Sequence, residues 1–301
     1  MRSAAPSTYG LITPARDEAE NVRRLAECLI GQTLLPSAWV VVDNGSRDGT
    51  PEVVASLAEQ HGWIRLVASR PERTAQPGRP IVEAFHAGLR ALPPVDVVVK
   101  LDADVSVDSD YFERLLQAFS SEPELGIASG QCYERNGRRW LPTHVTGDHV
   151  RGATRAWRRE CLDQVLPLDG TVPCVMDVVD ELKARRAGWR TGIVPELRFY
   201  HHRGVGERDG GSAVRWARQG RAAHYVGYRL WYLAARAVFR ARRNPAALAM
   251  VVGYLGAVLR REPRCADPAV IEELRRQQAL RSFPVRMREA LGRRPRAVRT
   301  I

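Results

Sequence analysis

Short aliphatic runs alternate with segments of helical period over the first two thirds of the chain. Four such runs, "YGLIT", "WVVVD", "WIRLVAS" and "VDVVVKL", are separated by stretches in which apolar residues recur every three or four positions. This alternation is typical of strands joined by crossover helices. The pattern predicts a doubly wound α/β domain with a mostly parallel central sheet flanked by helices.

Later segments continue the alternation. "DYFERLLQAF" predicts a helix, "LGIASGQCYE" a strand and "ATRAWRRECLDQV" a further helix. "DVVDELKARRAGW" predicts a helix that ends with Gly188 at its C-terminal cap, where glycine is favoured. Asp48 or Thr50 is placed to cap the predicted helix "PEVVASLAEQ".

Beyond about Gly210 the strand pattern stops and only helical patterns remain. We therefore expect an α/β domain over residues 1–210 and a helical C-terminal region over residues 211–301. The longest apolar run, Pro245 to Leu259, is shorter than the roughly 20 residues that a membrane-spanning helix needs. Tryptophan and tyrosine alternate with arginine in this region, which indicates either a helix lying in a membrane interface or aromatic residues packed on the first domain.

The charge of the chain is concentrated at one end. The 301 residues carry 46 Lys and Arg against 34 Asp and Glu, a formal net charge of +12. Residues 211–301 hold 20 basic and 5 acidic residues, so this region carries +15 and the remainder is near neutral. Such a region favours binding to a polyanion, either an anionic membrane surface or nucleic acid. The alternative is that the arginine excess reflects genome composition. Without a helix-turn-helix, RNA-binding or zinc signature, we expect no specific nucleic-acid partner.

The five cysteines are scattered and lack the spacing of metal ligands, which indicates reduced thiols. The N-terminus, "MRSAAPSTYGLIT", lacks the apolar core of a signal peptide. We expect a cytoplasmic protein, peripheral on the inner face of the membrane if the C-terminal region binds lipid.

Three polar clusters follow predicted strands, at the edge of a parallel sheet where ligands bind. They are "PARDE" (residues 14–18), "DNGS" (residues 43–46) and "DAD" (residues 102–104). Asp102 and Asp104 point to the same side of an extended backbone. Crowded carboxylates repel each other unless a cation intervenes, and Mg²⁺ or Mn²⁺ bound to a diphosphate suits such ligands. The alternative is a pair of solvated acids at a strand end.

Five segments, in this order and spacing, resemble a family 2 nucleotide-sugar glycosyltransferase of the GT-A fold. They are "ITPARDEAENV", "VVVDNGSRDGT", "VVKLDADVSVDSDYFERL", "GATRAWRREC" and "DVVDELKARRAGWRT...ELRFYHHR". The resemblance covers roughly residues 8–205. It implies transfer of a sugar from a nucleoside-diphosphate sugar, usually UDP-linked, to an acceptor hydroxyl with inversion. It also implies that the acceptor is a glycan or is lipid-linked, and that the enzyme acts in the biosynthesis of cell-surface glycans or glycolipids.

The resemblance also implies which residues bind the nucleotide. Pro14, Arg16 and Glu18 would line the base and ribose. Asp43 would accept a hydrogen bond from the base, and Arg79 would help to place the base and diphosphate.

The metal site implied by the resemblance is built on the family's DxD motif. Asp102 and Asp104 match that motif, with Asp104 the closer metal ligand. His201 and His202 would contribute a contact to the metal or diphosphate. Adjacent residues of a strand point opposite ways, so at most one of the two faces the site, and a surface or core histidine is the alternative.

The acceptor hydroxyl needs a base, and the candidates lie on one predicted helix. The family usually carries an acid–Asp pair whose second residue falls at Asp177, eleven residues before Gly188, but Met176 stands where the first acid is expected. Asp180 therefore stays a candidate beside Asp177, with Glu181 on the same helix face. We take Asp177 first.

Two further enzyme classes and a binding protein are the alternatives. "SAVRW" resembles the QxxRW signature of polymer synthases, but Ser212 replaces its glutamine. A nucleotidyltransferase acting on sugar phosphates would favour a glycine-rich loop after the first strand, which "PARDEAEN" lacks. A non-catalytic membrane- or nucleic-acid-binding protein is the remaining alternative.

Overall fold

The computed structural model describes residues 5–69, 78–143, 149–172, 175–203, 211–242 and 244–290. The boundary expected near Gly210 lies outside these residues. Within them the fold is mixed α/β, with one nine-stranded sheet.

The first half of the sheet is parallel. Its elements are β1 (Tyr9–Ala15), α1 (Ala19–Ile30), β2 (Ala38–Asp43), α2 (Thr50–Gln60), β3 (Ile64–Ala68), α3 (Arg79–Ala91) and β4 (Val97–Leu101). The strand order β3-β2-β1-β4 places β1 between β2 and β4, and all these pairs are parallel. The polar segments after β1, β2 and β4 therefore meet at one edge, as the sequence predicts.

The second half of the sheet is mixed. Its elements are β5 (Val105–Val107), α4 (Tyr111–Ser121), β6 (Leu125–Asn136), β7 (Arg139–Pro142), β8 (Thr154–Arg158), α5 (Arg159–Val165), α6 (Met176–Arg186) and β9 (Arg190–His201). The order continues β4-β8-β6-β9-β5, with β6 and β9 parallel and the other neighbours antiparallel. Strand β7 pairs with β6 outside this order.

Both faces of the sheet are covered, which confirms the doubly wound class. Leu11 of β1 points into a core shared with Leu25 of α1 and Phe112 of α4. The next residue, Ile12, points into the opposite core, with Phe85 of α3 and Trp157 of β8. This alternation follows from the two-residue period of a strand.

One local prediction was wrong. The segment predicted as one helix over "ATRAWRRECLDQV" divides into β8 and the shorter α5. All five residues of β8 are buried, because β8 fills the sheet between β4 and β6. At the start of α2 the expected contribution of Asp48 is present: Gly49 precedes the helix without a capping side chain, and Asp48 Oδ1 accepts from the Thr50 amide at 3.0 Å.

The described part of the C-terminal region contains only helical elements, as predicted. They are α7 (Ser212–Tyr225), α8 (Leu230–Ala241), α9 (Ala249–Leu259), α10 (Pro268–Gln277) and α11 (Phe283–Ala290), with two short 3₁₀ turns. This region packs on α6, where Val179 and Leu182 share a core with Val226, Val270 and Leu274. Among the helices described, none has both the length and the apolar character needed to cross a membrane.

Candidate active site

The loops after β1 and β2 are held together by hydrogen bonds from backbone amides to side chains. The Glu18 amide donates to Thr50 Oγ1 at 2.9 Å and the Ala19 amide donates to Asp48 Oδ2 at 3.1 Å. Asp48 and Thr50 therefore hold the start of α1, while Asp48 also accepts from the first amide of α2. Pro14 lies opposite Val42 in the parallel pair.

Asp43, the last residue of β2, is held by the turn that follows it. Its two carboxylate oxygens accept from the amides of Gly45, at 3.3 Å, and Ser46, at 3.2 Å. Gly45 has φ +78, a conformation that favours glycine. Arg16 is exposed at the same sheet edge.

Arg203 joins the first and third polar clusters. Its guanidinium donates to both oxygens of Glu18, at 2.9 and 2.8 Å, and lies 3.5 Å from Asp104 Oδ2. Glu18 and Asp104 are both buried. The structure thus gathers one predicted nucleotide residue and one predicted metal ligand around one arginine.

The two histidines point to different partners. His201 Nε2 lies 3.2 Å from Asp104 Oδ1, whereas His202 Nε2 lies 2.8 Å from Ser106 Oγ and its ring packs against Trp140. His201 therefore contacts the aspartate of the motif, and His202 faces away from that contact, as the alternation of a strand requires.

The charges around His201 shift its pKa and that of its partner. Burial lowers the pKa of His201, but hydrogen bonds to Asp104 and Cys132 and the charges of Asp104 and Asp102 outweigh burial and raise it to about 10. Burial raises the pKa of Asp104, yet His201 and Arg203 outweigh this and leave it lowered. Asp104 is thus an anion at neutral pH, and His201 lies within the field of both motif aspartates.

Lys100 connects Asp102 to the segment before β8. Its buried Nζ donates to Asp102 Oδ1 at 2.5 Å and to the Gly152 carbonyl at 3.1 Å. Burial lowers the pKa of Lys100, but the charges of Asp102 and Asp177 outweigh it and raise that pKa. Lys100 is therefore a buried cation acting on both carboxylates.

Asp177 lies in the first turn of α6, against the backbone of Gly152. A Cβ at position 152 would overlap Asp177 Oδ2. The Asp177 side chain is 21% exposed, whereas its Oδ1 atom is buried and has no hydrogen-bond partner among the described residues. Arg155 Nη1 lies 4.0 Å from this Oδ1, so the carboxylate combines solvent access with a weak ion pair and an acceptor that no hydrogen bond uses.

Asp180 lies in a different environment, which argues against its candidacy as the base. Its side chain is 1% exposed and accepts from Arg155 Nη2 at 2.7 Å and Nε at 3.0 Å, and from Trp157 Nε1 at 2.9 Å. Burial raises its pKa to about 6, opposed by Arg155. The sequence placed Asp180 on the helix of Asp177, but the helix turns it into the core.

Glu181 belongs to the same buried cluster. It accepts from Arg155 Nη2 at 3.0 Å and from the Val150 amide at 2.8 Å, and lies 3.0 Å from His149 Nδ1. Burial raises the pKa of Glu181, but His149 and Arg155 outweigh it and lower that pKa to about 2. The cluster fixes α6 to β8 and so positions Asp177.

Arg79 begins α3, and its guanidinium pairs with Glu83 one turn later, at 2.5 Å. Its backbone lies close to Gly170, in the segment before α6. No contact joins the Arg79 side chain to the clusters described above among the residues of the structure.

The donor atoms around Asp104 fit a divalent cation. Asp104 and Asp102 offer carboxylate oxygens, and His201 offers an imidazole nitrogen. Mn²⁺ accepts all three ligands, whereas Mg²⁺ prefers the two carboxylates. The partners of these carboxylates here are cationic side chains, Lys100 and Arg203. The arrangement is thus suited to balancing positive charge at this point.

Three residues of the site were not assigned a role from the sequence. Lys100, Arg155 and Arg203 were each part of a quoted segment, but sequence alone gave no sign that they pair with carboxylates from other elements. A lysine or arginine inside an otherwise apolar strand, as in "VVVKL" and "TRAWR", was the available signal, because buried charges need partners.

The fold is shared with solved glycosyltransferases. A mannosyltransferase from Pyrobaculum calidifontis, PcManGT, in complex with GDP-Man and Mn²⁺, is similar with a TM-score of 0.55 and 17% identity, over 96% of this chain and 87% of that one. TarS 1-349 from S. aureus, in complex with UDP-GlcNAc, is similar with a TM-score of 0.55 and 15% identity, over 96% and 93%. These similarities show the GT-A fold.

Sequence comparison adds a shorter match and a family. A poly-beta-1,6-N-acetyl-D-glucosamine synthase of Staphylococcus aureus is 28% identical over 97 residues, which are 32% of this chain and 22% of that synthase. The profile described as "Glycosyl transferase family 2" matches residues 11–174. Because that match spans more than half of the 301 residues, the chain belongs to glycosyl transferase family 2.

Proposed function

We propose that this chain transfers a sugar from a nucleoside-diphosphate sugar, UDP-linked, to an acceptor hydroxyl with inversion, and that the reaction depends on Mg²⁺ or Mn²⁺. The observation that carries the proposal is the link through Lys100, which bonds Asp102 and the Gly152 carbonyl. This link brings the partly exposed Asp177 close to the motif aspartates. We propose UDP as the nucleotide because TarS is bound to UDP-GlcNAc, although PcManGT is bound to GDP-Man.

In this proposal the first two clusters hold the nucleoside. Pro14, Arg16 and Glu18 line the base and ribose, and Asp43 accepts from the base. Arg203 fixes Glu18 and keeps it beside Asp104. We keep Arg79 as a contact to the donor, because α3 begins beside the segment that leads into α6.

The diphosphate then lies at Asp102, Asp104 and His201. A divalent cation held by these residues would supply positive charge to the departing diphosphate. His201 would then be a neutral ligand, because a ring nitrogen that binds a metal has given up its proton. We do not assign a ligand role to His202, whose ring bonds Ser106.

Asp177 acts as the base. Its carboxylate takes the proton of the acceptor hydroxyl while the hydroxyl oxygen forms a bond to the anomeric carbon. The bond from that carbon to the diphosphate oxygen breaks, and its electron pair leaves with the nucleoside diphosphate. Attack opposite to the leaving group inverts the anomeric carbon. The Asp177 Oδ1 atom accepts no hydrogen bond from the described residues, although Arg155 Nη1 lies 4.0 Å away, and this free acceptor supports the role.

The decisive experiment measures nucleoside diphosphate release from UDP-, GDP- and dTDP-sugars with Mn²⁺ or Mg²⁺. We expect turnover with a UDP-sugar that EDTA abolishes and that Asp104→Asn loses. Asp177→Asn should lower kcat by about 10²-fold or more. Asp163→Asn, an exposed acid on α5, is the matched control and should keep full activity. Turnover that persists in Asp177→Asn contradicts the assignment of the base, and turnover without metal contradicts the role of the aspartate pair.

We also propose that the C-terminal region rests on an anionic membrane surface, where a lipid-linked or cell-surface glycan acceptor is met. On α9, Val252, Leu255 and Leu259 lie at positions i, i+3 and i+7 of one face, and Val252 and Leu259 are 69% and 83% exposed. Region 211–301 carries a net charge of +15, which complements anionic headgroups.

Vesicle sedimentation tests this surface. The protein should sediment with vesicles of phosphatidylcholine containing phosphatidylglycerol, and less with phosphatidylcholine alone. Val252→Glu with Leu259→Glu should abolish sedimentation, whereas Leu35→Glu, an exposed apolar residue of the first domain, should not. Equal sedimentation of the double variant and the wild type would count against the membrane surface, as would binding to RNA in place of vesicles.

A further inference from the structure

Three side chains from β6 and β9 form a second group of metal-ligating atoms. One ligand atom each from Cys132, Glu134 and His201 lie within 4.8 Å of one another. Cys132 and Glu134 were not part of any motif in the sequence, and neither is needed for the proposed sugar transfer.

The sheet register fixes this group. Strands β6 and β9 are parallel, and Glu134 lies opposite His201 while Cys132 lies opposite Phe199. Residues two apart on a strand share a face, so Cys132, Glu134 and His201 project from the same side of two hydrogen-bonded strands. The group is therefore held by the backbone of the sheet.

The environment of the group favours a cation. Cys132 is 2% exposed, and Glu134 is half-buried. Among the residues that the structure describes, the Glu134 carboxylate forms neither a hydrogen bond nor an ion pair. A half-buried carboxylate that lies beside a buried thiol and an imidazole, and that has no partner among the described residues, is suited to a metal ion.

The chemistry of the three ligands selects the kind of cation. Thiolate and imidazole together are ligands for zinc-class ions, whereas Mg²⁺ and Ca²⁺ prefer oxygen alone. Zn²⁺ binds thiolate sulfur at about 2.3 Å and imidazole nitrogen or carboxylate oxygen at about 2.0–2.2 Å. Tetrahedral coordination then places ligand atoms about 3.5 Å apart, which small side-chain rotations reach from the spacing found here.

We propose that Cys132, Glu134 and His201 form a binding site for Zn²⁺, or a cation of the same class, beside the aspartate pair. Three protein ligands leave the fourth tetrahedral position for water. The site is distinct from the oxygen-rich aspartate pair in its ligands, and the two sites share only His201.

The shared histidine couples the two sites. His201 Nε2 contacts Asp104 in the structure. A zinc ion that draws this ring toward Cys132 weakens that contact, so Zn²⁺ is expected to lower the affinity of the aspartate pair for Mn²⁺. The zinc site itself is independent of sugar transfer. Its coupling to the Mn²⁺ site of the aspartate pair rests on the proposed function.

Cobalt spectroscopy on the full chain, without nucleotide, tests the site. Co²⁺ is the probe, because a bound thiolate gives a thiolate-to-cobalt charge-transfer band in the near ultraviolet, and carboxylates and imidazole do not. We expect a saturable band that Zn²⁺ abolishes. Cys132→Ser should remove it, while Cys28→Ser, a half-buried cysteine on α1, should keep it. No band, or a band that survives Cys132→Ser, overturns the proposal.

A second variant keeps the test decisive if Cys132→Ser does not fold, which circular dichroism would show. Glu134→Gln retains the thiol but removes a carboxylate ligand, so Co²⁺ should bind about tenfold more weakly or worse. An unchanged affinity in Glu134→Gln overturns the proposal. Turnover of UDP-sugars with Mn²⁺ is measured separately, so failure of the cobalt test and failure of the transferase assay are distinguishable.

Discussion

The backbone of Gly152 touches the carboxylate of Asp177, so closely that any side chain at position 152 would overlap Asp177 Oδ2. Lys100 binds the Gly152 carbonyl on one side and Asp102 on the other. The glycine thus sets the position of the proposed base relative to the proposed metal pair.

Gly152→Ala is therefore expected to displace Asp177 and lower kcat by about 10²-fold, because a shift of about 1 Å in a reacting group has an effect of that size. The melting temperature should change far less than the rate. Gly62→Ala, at a glycine with open space around it, is the control and should keep both. Wild-type kcat in Gly152→Ala would show that this contact does not position the base.

Arg155→Met is expected to destabilise the protein strongly. Arg155 is fully buried and pairs with Asp180 and Glu181. Its removal leaves the buried carboxylate of Asp180 without a counter-charge, whereas Glu181 keeps its contacts with His149 and Arg185. Breaking such a cluster lowers the free energy of unfolding by about 3–5 kcal/mol. Urea denaturation measures this, with Arg159→Met as the control, since its exposed pair with Asp163 is worth about 0–1 kcal/mol. A loss below about 1 kcal/mol in Arg155→Met would contradict the structural role of the cluster.

His201 predicts a pH dependence of stability in the metal-free protein. Its pKa is raised from 6.5 to about 10 in the fold, so its contribution is fully present below pH 6.5 and is lost as the pH rises to about 10. The free energy of unfolding should therefore fall over this window. His201→Asn should flatten the fall, and an identical slope in that variant would assign the effect to another group.

The C-terminal region is expected to unfold together with the α/β domain. Leu274 packs with Val179 and Leu182 of α6, so Leu274→Ala should lower the free energy of unfolding by about 2–5 kcal/mol. Leu259→Ala, at an 83% exposed position, should change it by less than about 0.5 kcal/mol. One calorimetric transition is expected in both variants. Two separate transitions would instead support an independent domain beyond the boundary near Gly210.

Much of the site was predictable because strand ends can be located from sequence. The acids after β1, β2 and β4 were identified from their positions after aliphatic runs, and the parallel sheet brings those loops to one edge. The sequence left Asp177 and Asp180 as alternative bases. Both lie on one helix, and the structure favours Asp177 because Asp180 is buried against Arg155 and Trp157 while Asp177 is partly exposed.

Strand β8 shows why the remainder was not predictable. Its sequence, "TRAWR", combines charged and apolar residues at a spacing that also fits a helix, and it was predicted as one. The segment is extended because β4 and β6 both offer it backbone partners, and because α6 supplies carboxylates to its buried arginine. Those partners are distant in the chain, so no local pattern reveals them.

The bridge from Arg203 to Glu18 has a consequence for the order of events during synthesis. These residues are 185 positions apart, and Arg203 also reaches Asp104. A growing polypeptide therefore cannot form this bridge until Arg203, just beyond β9, has left the ribosome. The donor site proposed above is thus incomplete in any nascent chain that ends before β9.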